Sequence, residues 1–139
     1  MRYDWRGLLL AVLLFGMVGI GIELLLLEHT EEFWQWLPIV LLGIGIVGAL
    51  ALAVRPSRVT VRTFQTIMLL FLAAGALGLY LHYTGNAEFE LEMRPSLGGF
   101  ELFKRSMMGA TPALSPGTMT LLGLMGLICT YGHPATQRR

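Results

Sequence analysis

Four long apolar blocks, separated by charged connections, constrain the fold of this chain more than any other feature. They cover residues 7–27, 36–54, 63–83 and 112–131. At about 1.5 Å per helical residue, each block is long enough to cross a hydrocarbon layer of about 30 Å. The sequence therefore predicts an all-α membrane protein: a single bundle of four transmembrane helices over residues 1–139.

The charged residues divide by sign between the two ends of such a bundle. The two tails and the second connection carry seven arginines and one acid, a net charge of +6. The first and third connections, with Glu23, carry eight glutamates and three cations, a net charge of −5. Cationic segments stay in the cytoplasm, so we expect both termini there. The arginines are Arg2, Arg6, Arg55, Arg58, Arg62, Arg138 and Arg139.

The connection over residues 84–111 is too long for a simple turn. Residues 88–93 alternate between acidic and apolar types, which indicates an extended segment. Within residues 96–108, Phe100, Phe103 and Met107 follow the spacing of one helical face. This spacing predicts a short extracytoplasmic amphipathic helix that lies on the membrane surface or caps the bundle.

Each apolar block contains two glycines three residues apart. Such a pair leaves a flat strip where the backbone of another helix can approach closely, so we expect helix packing there. The glycines are Gly16, Gly19, Gly45, Gly48, Gly75, Gly78, Gly123 and Gly126.

Glu23 lies about 6 Å inside the outer end of the first block. A carboxylate at that depth either reaches the interface or belongs to an ion or proton site. Glu23 and His82 each follow a glycine pair by four residues. If the two halves of the chain were a duplication, these two residues would face each other as a proton site.

His29 and His82 both belong to the outer interface, where histidine and carboxylate side chains could ligate a metal. They lack the close spacing of a metal motif, so we expect interfacial hydrogen bonding instead. No cofactor is predicted, and haem, a pigment or a metal at the outer interface is the alternative. The sequence contains no phosphate-binding glycine loop, nucleophile elbow or CxxC pair, so we expect no enzyme.

The stretch from Phe89 to Pro134, and above all GATPALSPG at residues 109–117, resembles a group of small bacterial four-helix inner-membrane proteins. No function is known for that group, so no functional residue carries over. The resemblance implies a multi-pass protein of the bacterial inner membrane with both termini in the cytoplasm.

The sequence favours a non-catalytic accessory or stabilising subunit of a larger respiratory or photosynthetic membrane complex. Its expected partners are the lipid bilayer and other membrane subunits, with no nucleic acid. One alternative is a small oligomeric transporter of ions, protons or small molecules, with Glu23 and His82 in its path. The other is a metal- or haem-binding membrane protein.

Overall fold

The computed structural model describes residues 4–109 and 111–137, and all regular structure within them is helical. Three of the helices are long and apolar enough to cross a membrane, whereas α5 is apolar but has only 14 residues. The prediction of an all-α protein is therefore confirmed for the described residues, and three of its helices have the length and apolar composition of membrane spans. The helices are α1 (Trp5–Leu26), α2 (Phe33–Val54), α3 (Arg58–Met93), α4 (Gly99–Met107), α5 (Gly117–Thr130) and α6 (Pro134–Gln137).

Short polar side chains cap the first turns of α1 and α3. The Asp4 carboxylate accepts a hydrogen bond from the N–H of Gly7 at 3.1 Å and caps α1. Ser57 and Thr60 form a reciprocal capping box at the start of α3. Because only three residues separate α2 from α3, these two helices are antiparallel neighbours.

Helices α1, α2, α3 and α5 pack in a ring, in which each contacts the next and α5 returns to α1. The core lies along α3, whose Phe64, Met68 and Phe71 are fully buried. Leu13 and Met17 of α1 are equally buried against it. Large apolar side chains remain exposed on the outer surfaces of these helices, as expected where lipid covers them.

The two ends of the ring differ in charge. At one end Arg6, in α1, donates from Nη2 to the carbonyl oxygen of Tyr131 at 2.9 Å, just beyond α5. The starts of α1 and α3 and the ends of α2 and α5 meet here. We call this the basic end, and it carries Arg6, Arg55, Arg58 and Arg62. The opposite end, with the connection at residues 27–32 and α4, is the acidic end.

The predicted extended segment at residues 88–93 is wrong, and so is the predicted end of the third helix at residue 83, because α3 continues to Met93. In this extension Asn86 is buried and Glu90 half-buried, one helical turn apart on the face that packs against α4. A helix satisfies its own backbone hydrogen bonds, whereas a single strand here would need a partner strand.

The fourth apolar block is a regular helix only from Gly117 onward, later than predicted. The residues before it form i to i+3 turns, such as the hydrogen bond from the N–H of Ser115 to the carbonyl of Pro112 at 3.1 Å. Pro112 and Pro116 have no N–H to donate, so regular helix cannot run through both of them.

Candidate functional site

The acidic end brings together the two histidines that the sequence places at the outer interface. The ring centroids of His29 and His82 lie 6.5 Å apart, with a tilt of 55° between the planes. His29 belongs to the connection after α1 and His82 to α3. The pair therefore joins two segments that are distant in the chain.

The end of α1 fixes the position of His29. The N–H of His29 donates to the carbonyl of Leu24 at 2.9 Å, and the N–H of Glu28 donates to that of Leu25 at 3.1 Å. These two bonds form the Schellman turn that closes many helices. Glu28 holds a positive φ of 53°, a conformation that favours glycine. The chain thus accepts local strain at the residue that orients His29.

His82 is fixed by the segment that enters α5. Its Nδ1 lies 3.1 Å from the carbonyl oxygen of Pro112. A carbonyl oxygen can only accept, so Nδ1 donates and carries a proton. In the neutral ring the lone pair is then on Nε2.

Burial and the neighbouring His82 both lower the pKa of His29, burial being the larger cause. At neutral pH His29 is therefore uncharged. A pair of imidazoles with available lone pairs can accept protons or contribute two metal ligands. The residues that the structure describes contain no group of three His, Cys, Asp or Glu side chains able to hold a metal ion.

Glu23 does not join this pair. Its side chain is exposed on α1, and within the described residues it forms no ion pair with His82. The turn after α1 brings His29, rather than Glu23, to the ring of His82. The described residues therefore do not form the carboxylate–imidazole site of Glu23 and His82 that a duplication of the chain would suggest.

Sequence reasoning missed Asn86, which is buried on α3 one turn beyond His82. Its Nδ2 donates to the carbonyl oxygens of Ser106 at 2.9 Å and Thr111 at 2.7 Å. Its Oδ1 accepts from the N–H of Thr111 at 3.3 Å. Four-residue spacing on a helix puts His82 and Asn86 on one face. This spacing is the sequence pattern from which the role of Asn86 could have been predicted. Together His82 and Asn86 hold the backbone just before α5.

Helix α4 lies within the range that the sequence predicts for a short amphipathic helix. Its buried contact with the rest of the protein is Ser106. Phe100 is 77% exposed, whereas Phe103, which lies beside Tyr83 of α3, is 48% exposed. The ring of Phe103 lies 5.9 Å from that of Tyr83 and 6.2 Å from that of Phe100. An aromatic surface thus faces outward at the acidic end.

The predicted packing glycines lie mostly against a neighbouring element. At seven of them an added Cβ would come within 3.1 Å of another element. Gly19 differs, because nothing lies within 4 Å of its added Cβ. The seven are Gly16, Gly45, Gly48, Gly75, Gly78, Gly123 and Gly126.

No family model, curated protein or solved structure matches this chain.

Proposed function

We propose that this chain is a non-catalytic accessory subunit of a larger membrane complex, respiratory or photosynthetic in type. It crosses a bacterial inner membrane four times, with both termini in the cytoplasm. The contact surface for the partner subunit is the outward aromatic face of α4, formed by Phe100 and Phe103. The observation that carries the proposal is the exposure of this face on a helix that is firmly held to the bundle.

Helix lengths support four crossings. The 14 residues of α5 extend about 21 Å. The tight turn at residues 113–116 adds about 8 Å at about 2 Å per residue. Together they approach the thickness of about 30 Å of a hydrocarbon layer. The arginines of the basic end support a cytoplasmic location for that end.

The length of α3 supports a contact outside the hydrocarbon layer. Its 36 residues extend about 54 Å, well beyond a layer of about 30 Å. The projecting part contains Asn86, whose side chain donates a hydrogen bond to Ser106 of α4 and so holds α4 at this level. Two exposed phenylalanines at or above the headgroups are costly in water, and a partner subunit or the bilayer surface relieves that cost.

A photoreactive phenylalanine analogue at position 103 tests the proposal in the native membrane. We expect an adduct of defined mass with another membrane protein. The control places the same analogue at Lys104, an exposed neighbour on the same helix, where we expect no such adduct. Adducts with lipid alone at position 103 would contradict the accessory role of this face.

A second measurement is the size of the complex on native gels. The double variant Phe100→Ser, Phe103→Ser should shift the chain from a large complex to its own mass. Glu101→Ser, on the same helix, should leave the complex intact. A wild-type chain that migrates alone or only as a homo-oligomer would refute the proposal.

A further inference from the structure

A cleft of about 500 Å³ opens at the basic end between α1, the end of α2 and the connection from α5 to α6. Its inner wall is apolar and includes Leu10, Leu14 and Leu52. Its mouth carries the side chains of Arg6 and His133. The cleft therefore pairs a polar entrance with an apolar interior, the shape that an amphipathic molecule requires.

Arg6 brings a positive charge to the mouth, where its Cζ lies 4.4 Å from the centroid of the Trp5 ring. Its Nη2 donates to the carbonyl oxygens of Tyr131 and Gly132, at 2.9 and 3.4 Å. Among the described residues, no carboxylate lies within ion-pair distance of its guanidinium. Asp4 also lines the cleft, but its carboxylate caps α1 through the N–H of Gly7. The guanidinium therefore remains able to bind an anion.

His133 supplies a neutral donor beside Arg6. Its Nδ1 accepts the N–H of Ala135 at 3.2 Å, so the proton of the neutral ring is on Nε2. Burial, and then the charge of Arg6, lowers the pKa of His133 and favours this neutral form. Bound phosphate oxygens would accept from both side chains.

We propose that this cleft binds one anionic phospholipid, whose phosphate is held by Arg6 and His133 and whose acyl chain lies against Leu10, Leu14 and Leu52. The inference rests on insertion of the bundle in a membrane, as proposed above, but not on the partner subunit. Arg55, Arg58 and Arg62 surround the same end, so its potential favours an anionic headgroup over a zwitterionic one.

The apolar wall distinguishes a phospholipid from a free phosphate ion. A free ion would use only Arg6 and His133 and would make no contact with the leucines. Ala11 and Ala53 line the cleft and are exposed, so their small side chains leave the groove open toward the surrounding lipid. An acyl chain can therefore enter sideways from the bilayer.

Thermal unfolding of the full chain in neutral detergent, titrated with phosphatidylglycerol or phosphatidylcholine, tests the proposal. We expect phosphatidylglycerol to raise the melting temperature, and native mass spectrometry to show one bound molecule per chain. Arg6→Gln should weaken this binding about fivefold, as expected for one cation near a headgroup. Arg58→Gln is the matched control, because Arg58 is exposed at the same end outside the cleft.

Ala53→Phe tests the apolar part without touching Arg6 or its contacts with Tyr131. The larger side chain should fill the groove and abolish phosphatidylglycerol binding, while the helical content is unchanged. Equal stabilisation by phosphatidylcholine, equal loss in Arg58→Gln, or full binding by Ala53→Phe would each overturn the proposal. If inorganic phosphate alone raised the melting temperature as much as phosphatidylglycerol, the ligand would be a free anion and the lipid proposal would be overturned.

Discussion

Asn86 donates from Nδ2 to the carbonyl oxygen of Thr111 at 2.7 Å, and its Oδ1 accepts the N–H of the same residue at 3.3 Å. This two-point contact joins the projecting part of α3 to the segment that enters α5. Nδ2 also donates a hydrogen bond to the carbonyl oxygen of Ser106 in α4 at 2.9 Å. One buried amide thus positions the aromatic face of α4 relative to the bundle.

Replacing Asn86 by alanine should destabilise the acidic end. The carbonyl oxygens of Ser106 and Thr111 would each lose the amide donor, and each lost hydrogen bond costs about 0.5 to 1.5 kcal/mol. We expect a lower melting temperature and faster hydrogen exchange in α4. Gly85→Ala is the control, since nothing lies near its added Cβ and alanine favours helix. Equal exchange in both variants would contradict this role for Asn86.

The packing glycines should differ in their tolerance of larger side chains. A Cβ added at Gly78 would lie 2.7 Å from Cβ of Pro116, so Gly78→Leu should force α3 and the start of α5 apart and lower the melting temperature. Gly43, on α2, has nothing within 4 Å, and Gly43→Leu should be tolerated by the isolated chain. Thermal unfolding in detergent measures both. Similar stability of the two variants would show that close helix approach at Gly78 contributes little.

The charge asymmetry predicts which positions a reagent can reach from outside the cell. In a background with Cys129→Ser, cysteines at positions 31 and 98 should react with a membrane-impermeant maleimide in intact cells. Cysteines at positions 57 and 137 should react only after the membrane is opened. The expectation follows from the arginines at the basic end. Labelling at position 57 from outside would show the opposite orientation in the membrane.

The stability of the acidic end should fall at low pH. His29 has a lowered pKa when folded, so below pH 6.5 the unfolded chain binds a proton that the folded chain does not. This contribution to stability is fully present above pH 6.5 and is lost as the pH falls through the folded pKa. His82→Asn removes the nearby imidazole, which is the smaller of the two causes, and should weaken the dependence in part. The measurement is the melting temperature between about pH 7.5 and about pH 5.5.

His133 has a lowered pKa for a similar reason, at the other end of the bundle. The His133→Gln variant therefore serves as the control that separates its share from that of His29. An unchanged pH profile in the His82→Asn variant would show that His82 does not influence the protonation of His29.

Glu23→Gln tests the transporter alternative. Glu23 is exposed, and the buried polar side chains in the described residues are Asn86, Ser106 and Thr130. None of these three titrates near neutral pH, which disfavours a buried proton relay through the described residues. We expect neither the wild type nor the variant to carry flux above empty liposomes under an imposed pH or ion gradient. Flux in the wild type that is lost in the variant would favour transport.

The sequence by itself determined the helical class and the apolar spans. Long apolar runs leave the backbone no other means of satisfying its hydrogen bonds in lipid, so composition alone predicts helices there. The amphipathic spacing of Phe100 and Phe103 also placed α4, because a period of 3.6 residues is local information.

Only the tertiary structure decided where α3 ends, where α5 begins and which polar residues meet. The extension of α3 to Met93 depends on α4 packing against it, and no window of local sequence contains both helices. His29 meets His82, whereas Glu23 does not, because the turn at Glu28 sets the direction of the chain after α1. Asn86 becomes buried only when residues 106 and 111 return to it. Such contacts depend on the path of the backbone between segments distant in the chain.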